Sequence, residues 1–390
     1  MGLSTFSLAS PALVWGLRLL LLLAVSWIVL RWAKAADPGI WSYLRRLLSV
    51  VVLIVLGTLN VIAPVNAQYG WYDTVGDLLS TVRDPVVLPP QTHRGSPASQ
   101  SSQAQVGPQP FATMSTAGRA STKLHLKPTA SGGYQEFTVP GPVSGYTGKV
   151  TVWFPPSYQD PAARNRQYPV LETYHGYLPS PLAYFSVFHI DSVIAQNVAA
   201  HKMREPVVLI PHWGPNRLDT ECVNGGPGHI QMEDWLTRDV PAWAYTHLRV
   251  AAGRQSWATL GASAGGWCAL MSTMLHPSTY SAAISLGGYA KPEFDPSYVP
   301  FTPGSLSGRR YDLVQLARTQ PPAVALWVLS SVPDKLANPQ STALTAATRP
   351  PASVTATVLP TGGHRSEVWT PYFPSALAWL GSNASGFAPL

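Results

Sequence analysis

Two stretches near the N-terminus, Pro11 to Leu30 and Leu47 to Pro64, are almost purely apolar: Arg18 alone interrupts the first, and the second carries no charge. Stretches of this length cross the hydrocarbon core of a bilayer as helices, because lipid offers the backbone no hydrogen-bond partners. The competing reading of the first stretch is a signal peptide. It lacks a basic leading region, however, and is followed by Arg31, Lys34, Arg45 and Arg46. Those four residues lie between the two stretches. The positive-inside rule therefore puts their connection in the cytoplasm, and everything after Pro64 outside, on a two-helix transmembrane hairpin. Arg18 fits this reading by snorkelling or by facing the partner helix.

Only 12% of the 390 residues are charged, and 38 are proline, which suits a membrane portion joined to a proline-rich exported one. The formal charge is +7, but the Lys and Arg residues are scattered. No basic run interleaved with aromatics appears, which argues against a nucleic-acid partner. Tyr69 to Thr81 carries aromatics suited to the membrane surface. Pro85 to Gly132, rich in Pro, Ser, Gln, Thr and Gly, reads as a linker with too little apolar surface to order itself. The expected organisation is a hairpin over 1–68, a juxtamembrane segment and linker over 69–132, and a globular domain over 133–390. The two cysteines, Cys222 and Cys268, are too few for a disulfide framework and lie in no metal-binding spacing, and no metal or organic cofactor is implied.

Within the last region β-type runs alternate with helical patterns. Strands are expected at Gln135 to Val139, Lys149 to Phe154, Tyr168 to Tyr174, Pro206 to Ile210, Trp257 to Leu260, Ser281 to Leu286, Ala325 to Leu329 and Val354 to Leu359. The alternation predicts a mostly parallel sheet covered by helices on both faces, a three-layer α/β fold.

Gly261-Ala262-Ser263-Ala264-Gly265 fits the G-x-S-x-G elbow, in which small flanking residues permit a strained turn that lifts the serine hydroxyl out of the sheet. An apolar strand precedes it. After it, Trp267, Leu270, Met271, Met274 and Leu275 form one helical face that ends at His276-Pro277. A serine alcohol needs an imidazole to take its proton and a carboxylate to orient that imidazole. Only His276 and His364 follow Ser263, and His276 lies too far along the elbow helix to turn back, so His364 in the loop Thr361-Gly362-Gly363-His364 is the candidate base. Asp334 follows a strand, stands 30 residues before His364 and is the candidate acid. Asp312, Glu293 and Asp295 are weaker, and Glu367 suits a first helical turn. The oxyanion calls for two backbone N–H groups. Ala264 supplies one and Tyr177, after the strand that runs into His175-Gly176, the other, with His175 itself structural. Trp213 and Trp267 are candidates for lining an acyl or alcohol pocket, although such residues are more often core.

The segments YPVLETYHG, EDWLTRDVPAWAYTHLRV, GASAGGWCALMSTMLHPSTYSAAISLGG and GGHRSEVWTPYFPSALAWL resemble the α/β-hydrolase family that holds the esterase D-type enzymes and the secreted mycolyltransferases of mycolate-walled bacteria. The resemblance covers about two thirds of the chain. It implies an acyl ester or lipid substrate, carried through an acyl-Ser263 intermediate. The mycolyltransferases carry Glu where this sequence has Asp334, which favours hydrolysis over transfer. A mycolyltransferase-like enzyme moving acyl chains between envelope glycolipids is the first rival reading, and a non-catalytic envelope scaffold the second. In an oxidising compartment a Cys222–Cys268 bridge would tether a loop to the elbow helix; two buried thiols are the alternative. The oligomeric state is not legible.

Overall fold

The computed structural model describes residues 6–31, 39–79, 91–95, 114–120, 122–177, 180–296, 298–302 and 304–390. Lys34 and much of the Pro85 to Gly132 stretch lie outside these. The chain forms two compact units, one of residues 1–85, 331–336 and 360–365, the other of residues 86–330, 337–359 and 366–390.

In the first unit, helices α1 (Pro11–Arg31) and α2 (Ile40–Tyr69) are each long and apolar enough to cross a membrane. Most of their large apolar side chains, such as Leu22, Leu30 and Val61, point outward, as a lipid-facing surface requires. Asn60 ties the pair together, its amide donating to Leu17 O at 3.0 Å. α2 starts well before the apolar stretch, so Arg45 and Arg46 sit in its opening turns and not in the connecting loop, a correction to the sequence reading. Trp41, Tyr43 and Leu44 extend the helix there without needing a core. Gly70 ends α2 in the left-handed conformation at φ 65°, where a side chain would be strained, with its N–H on Asn66 O at 2.7 Å. A short helix α3 (Val75–Leu79) follows.

The second unit is built on a ten-stranded sheet: β1 (Thr92–Arg94), β2 (Lys127–Pro128), β3 (Gly133–Pro140), β4 (Thr147–Phe154), β5 (Val170–Tyr174), β6 (Val207–Pro211), β7 (Trp257–Ala262), β8 (Ala282–Leu286), β9 (Ala325–Ser331) and β10 (Ser353–Leu359). The order is β1-β10-β9-β8-β7-β5-β6-β4-β3-β2. The run β6-β5-β7-β8-β9 is parallel, while β1 on β10 and β4, β3 and β2 beyond β6 are antiparallel. The central strands are buried on both faces and read as nearly unbroken apolar runs. One face, with Leu171, Val208, Ala258, Leu260 and Ile284, packs against α4 (Ile190–Ala199) and the C-terminal helix, α9 below. The other carries α6 (Ala264–Leu275), as the hydrogen bond from Thr259 Oγ1 to Ala269 O shows at 2.8 Å. Between these come α5 (Val240–His247), α6 (Ala264–Leu275), α7 (Leu313–Thr319), α8 (Ala337–Ala347) and α9 (Phe373–Asn383). This is the expected three-layer α/β arrangement. Each fully buried Leu, Ile or Phe in it contributes about 1.5–3 kcal/mol before entropy is counted.

Two departures have local causes. The fifth strand begins at Val170, because Pro169 cannot donate to the ladder; Tyr168 is left with an isolated bridge to Val250. The stretch read as a linker supplies edge strands at both ends of the sheet. Thr92 to Arg94 pair with Ala356 to Val354, and Lys127 and Pro128 with Tyr134 and Gly133. An edge strand needs only backbone partners, so polar residues serve.

The sulfurs of Cys222 and Cys268 are bonded, tying the loop after β6 to α6, with the alpha carbons 5.7 Å apart. A bridge between residues 46 positions apart stabilises by roughly 4 kcal/mol in the loop-entropy model. The double variant Cys222→Ser, Cys268→Ser is expected to lose about that much in a urea unfolding titration, and reductant should lower the wild-type midpoint alone.

Glu172 on β5 is fully buried, and Tyr280 Oη donates to it at 2.7 Å. Burial raises its pKa to about 8, against the lowering effect of that hydrogen bond. The folded state therefore prefers the neutral acid. Stability is complete while the group is protonated in both states, and is lost as pH rises from the unfolded value near 4.5 through about 8. Unfolding titrations of the wild type should show the midpoint falling across that window, and Glu172→Gln should flatten the curve.

Candidate active site

Ser263 stands between β7 and α6 with φ 58° and ψ −127°, a backbone that a residue with a side chain adopts only under strain of about 1–3 kcal/mol. Its N–H donates to Leu286 O at 2.9 Å, and its carbonyl accepts from Gly266 N at 2.8 Å. The glycines around it are required by contact. A methyl on Gly261 would enter the backbone of Gly265, and one on Gly265 would strike the carbonyls of Tyr174 and His175. On Gly266 it would lie 2.8 Å from Ser285 Oγ. Ala264 opens α6 and is buried, so its N–H lies at the positive end of that helix's dipole.

In the other unit the two loops that follow β9 and β10 meet. Asp334 is fully buried and His364 8% exposed, and His364 Nδ1 lies 2.8 Å from Asp334 Oδ2. With Nδ1–H donating to the carboxylate, Nε2 is left as the proton acceptor. The Asp334 loop is folded on itself, Asp334 N–H donating to Ser331 O at 2.9 Å and Leu336 N–H to Asp334 Oδ1 at 3.1 Å. Ser331 Oγ donates to Gly362 O at 2.7 Å, joining the two loops.

The strand before the HG turn is β5. His175 is buried, which lowers its pKa to about 4; its Nδ1–H donates to Gly176 O at 2.8 Å. It is a neutral wedge stacked on Trp213, whose indole N–H donates to His175 O at 2.8 Å. Tyr177 is 41% exposed directly after it. Trp267 is fully buried, donates to Glu221 O at 2.8 Å and stacks on Tyr289. Both indoles thus support loops beside the elbow and present no open face to a ligand.

Next to the bridge, Glu221 and Cys222 both have positive φ, 47° and 56°. Tyr289 Oη donates to Glu221 Oε1 at 2.5 Å. Burial and the neighbouring Asp219 push the Glu221 pKa well up, and burial raises Asp219 to about 6.

The weaker acid candidates have other partners. Asp312 caps α7 by accepting from Gln315 N and pairs with Lys291 at 2.9 Å; Glu293 accepts from Gln340 at 2.6 Å; Glu367 lies in a first helical turn. The sequence reading missed a second histidine and carboxylate pair, the partly buried His276 Nε2 with the buried Glu233 Oε1 at 2.6 Å. Arg310 and Tyr311 also bind Glu233, and despite its burial His276 and Arg310 lower its pKa to about 2. Its only signal was a Glu inside EDWLTRDV. Among the described residues no cluster of His, Cys, Asp and Glu could hold a metal ion.

A family model described as "Putative esterase" matches residues 144–380. Among solved structures, a ferulic acid esterase is 18% identical over 66% of this chain and 99% of its own, with a TM-score of 0.54. An S-formylglutathione hydrolase from Agrobacterium tumefaciens is 14% identical over 67% of this chain and 99% of its own, with a TM-score of 0.55. A fluorophosphonate-binding serine hydrolase of Staphylococcus aureus is 15% identical over 64% and 99%, with a TM-score of 0.50. No curated protein matches the sequence. At these identities the solved structures establish the α/β-hydrolase fold alone. The family match spans more than half of the chain and includes the elbow, Asp334 and His364. This chain therefore belongs to the esterase family and is an enzyme that acts on esters.

Proposed function

We propose that the protein is a serine esterase that cleaves carboxylic esters at the outer face of a membrane, with Ser263 as nucleophile, His364 as base and Asp334 as the acid that orients it. The observation that carries this reading is the strained backbone of Ser263 at the strand-to-helix turn, for which neither packing nor capping gives a reason. Strain of that kind is kept where it aims a reacting atom. Ser263 Oγ attacks the ester carbonyl carbon as its proton passes to His364 Nε2. The N–H groups of Ala264 and Tyr177 stabilise the oxyanion. Its collapse expels the alcohol, which takes the proton from His364, and leaves an acyl-Ser263 ester. Water then attacks the acyl carbon with His364 again as base, and the carboxylic acid departs.

The location rests on the two long apolar helices and on Arg31 at the end of the first and Arg45 and Arg46 in the opening turns of the second. The Cys222–Cys268 bridge supports the same side, because disulfides persist in oxidising compartments. In this reading residues 1–68 anchor a catalytic domain outside the cytoplasm. A reporter active only outside the cytoplasm, fused after Leu390, is expected to be active; a silent one beside a working cytoplasmic reporter would invert the hairpin.

Ser263→Ala and His364→Ala should each lower turnover of p-nitrophenyl esters by on the order of 10⁶, because the members act as a unit. Asp334→Asn should cost less, about 10⁴. Near-normal activity in Ser263→Ala would refute the mechanism. With a polyol acceptor at millimolar concentration, free acid is the expected main product, and acyl-polyol in its place would make the enzyme a transferase of the mycolyltransferase kind.

A further inference from the structure

The loops that carry Asp334 and His364 are held from outside the family-matched region. After Gly70 the chain runs through Trp71, Tyr72 and Asp73 to α3, along both loops. Gly70 O accepts the His364 backbone N–H at 3.1 Å. Arg365 forms a forked pair with Asp77, Nη2 to Oδ1 at 2.5 Å and Nη1 to Oδ2 at 3.1 Å, also donates to Trp71 O, and lies 4.5 Å over the Tyr72 ring. Gly363 and Gly70 mark the closeness of fit. A methyl on Gly363 would strike the carbonyls of Gly70 and Trp71, and one on Gly70 would lie 2.5 Å from Pro333 O. On the acid side Lys335 Nζ donates to Ala67 O at 2.9 Å, in the last turn of α2, and to Ala9 O at 3.3 Å, just before α1. The residues flanking Asp334 and those flanking His364 are therefore both gripped.

The strap is itself braced. Asn66, 6% exposed, donates to Tyr72 O and Leu8 O and accepts from Tyr72 N at 2.8 Å. Phe6 O accepts from Val75 N at 3.0 Å, and Thr74 Oγ1 accepts from Asp77 N at 3.0 Å. The forked Asp77–Arg365 pair is only 20% and 15% exposed, and such charge-assisted pairs fix orientation as well as adding energy.

We propose that residues Asn66–Asp77 form a positioning strap that sets the geometry of the Asp334–His364 pair, with Asp77, Arg365 and Lys335 as positioning residues. The hairpin then does more than tether the enzyme: its outer end completes the catalytic loops. The strap's effect on turnover rests on the esterase reading above; its effect on the loops does not. A misplacement of about 1 Å in a reacting group can cost 10²-fold in rate, so a loosened strap should act on kcat.

The test uses the full chain in detergent. In Asp77→Ala and in the isosteric Asp77→Asn, hydrogen exchange of peptides covering 331–336 and 360–365 should speed up at least about tenfold, while peptides from β7 and α6 stay unchanged. On a short, water-soluble ester kcat should fall about 10- to 100-fold with KM within about twofold, and Asp77→Glu should recover most of the loss. Arg365→Ala combined with Asp77→Ala should be no worse than Arg365→Ala alone. Unchanged exchange in both loops would overturn the proposal, as would wild-type kcat in loops that exchange faster. Loss of kcat matched by faster exchange throughout the sheet would also overturn it. Ser263→Ala in the same preparation reports separately on the esterase reading, which fails if that variant still turns over.

Discussion

The elbow depends on how closely α6 approaches the sheet. Gly261, Gly265 and Gly266 have no room for a side chain, since β7, the carbonyl ends of β5 and the turn after β8 occupy the space within van der Waals reach. That contact packs the start of α6 over three parallel strands at once. The turn before the helix is short, and Ser263 within it has a positive φ. Everything around it is arranged to hold the helix down. Thr259 and Thr273 share a hydrogen bond at 2.8 Å beneath it, Trp267 locks its outer side to Glu221 O, and Cys268 is covalently tied to the next loop. A strained residue persists only where its surroundings over-determine it, and here they do.

The same crowding explains why so many ionisable groups are buried near this helix, and why they end in opposite states. Glu233 is surrounded by His276, Arg310 and Tyr311, and stays ionised because its partners outweigh the cost of leaving water. Glu172 has tyrosine neighbours and no cation, so burial wins and the acid is neutral over much of the pH range. Glu221 follows Glu172, and Asp219 beside it makes ionisation harder still. A buried charge without a cation is costly, so these carboxyls act as hydrogen-bonding packing groups. The Glu233 cluster behaves as a structural ion network, and removing a partner there would strand a charge.

Much of the sheet was legible because its central strands are short apolar runs separated by helix-length segments, and their limits were read to within a residue or two, Pro169 setting back the start of β5 by two. The pairing of Asp334 with His364 was legible from chain order and spacing, because both sit in loops that follow adjacent strands. The edge strands Thr92–Arg94 and Lys127–Pro128 were not, since two or three polar residues carry no alternation and pair only through backbone. The extent of α2 was underread for a related reason: Trp41, Arg45 and Arg46 are acceptable in a helix but break an apolar window. The contacts from residues 67–77 to the loops that carry Asp334 and His364 had no local signature. Asp77 and Arg365 are 288 positions apart, and neither residue is unusual where it stands. Trp213 and Trp267, candidates for a pocket wall that are more often core, are buried with their N–H groups on loop carbonyls.

The two halves of the proposed machinery are stabilised in different ways. The nucleophile and the oxyanion donor at Ala264 ride on a helix pressed against three parallel strands, where moving a single atom means repacking the core. Asp334 and His364 ride on loops at strand ends, which are by default the mobile part of such a fold. A base must stay within hydrogen-bond reach of its proton donor, so the demand for order falls on the loops and not on the sheet. Their own contacts include Ser331 to Gly362, Asp334 to Ser331 and the Asp334–His364 pair itself. Further charged and close-packed contacts on these loops come from residues 67–77. Because those residues continue directly from α2, the order of the acid and base is built from the same segment that terminates the apolar hairpin. A sequence that changed the length between Asn66 and Asp77 by one residue would keep the sheet, the elbow and the helices, yet it would put the Asp77 carboxylate and the Gly70 carbonyl out of register with Arg365 and His364.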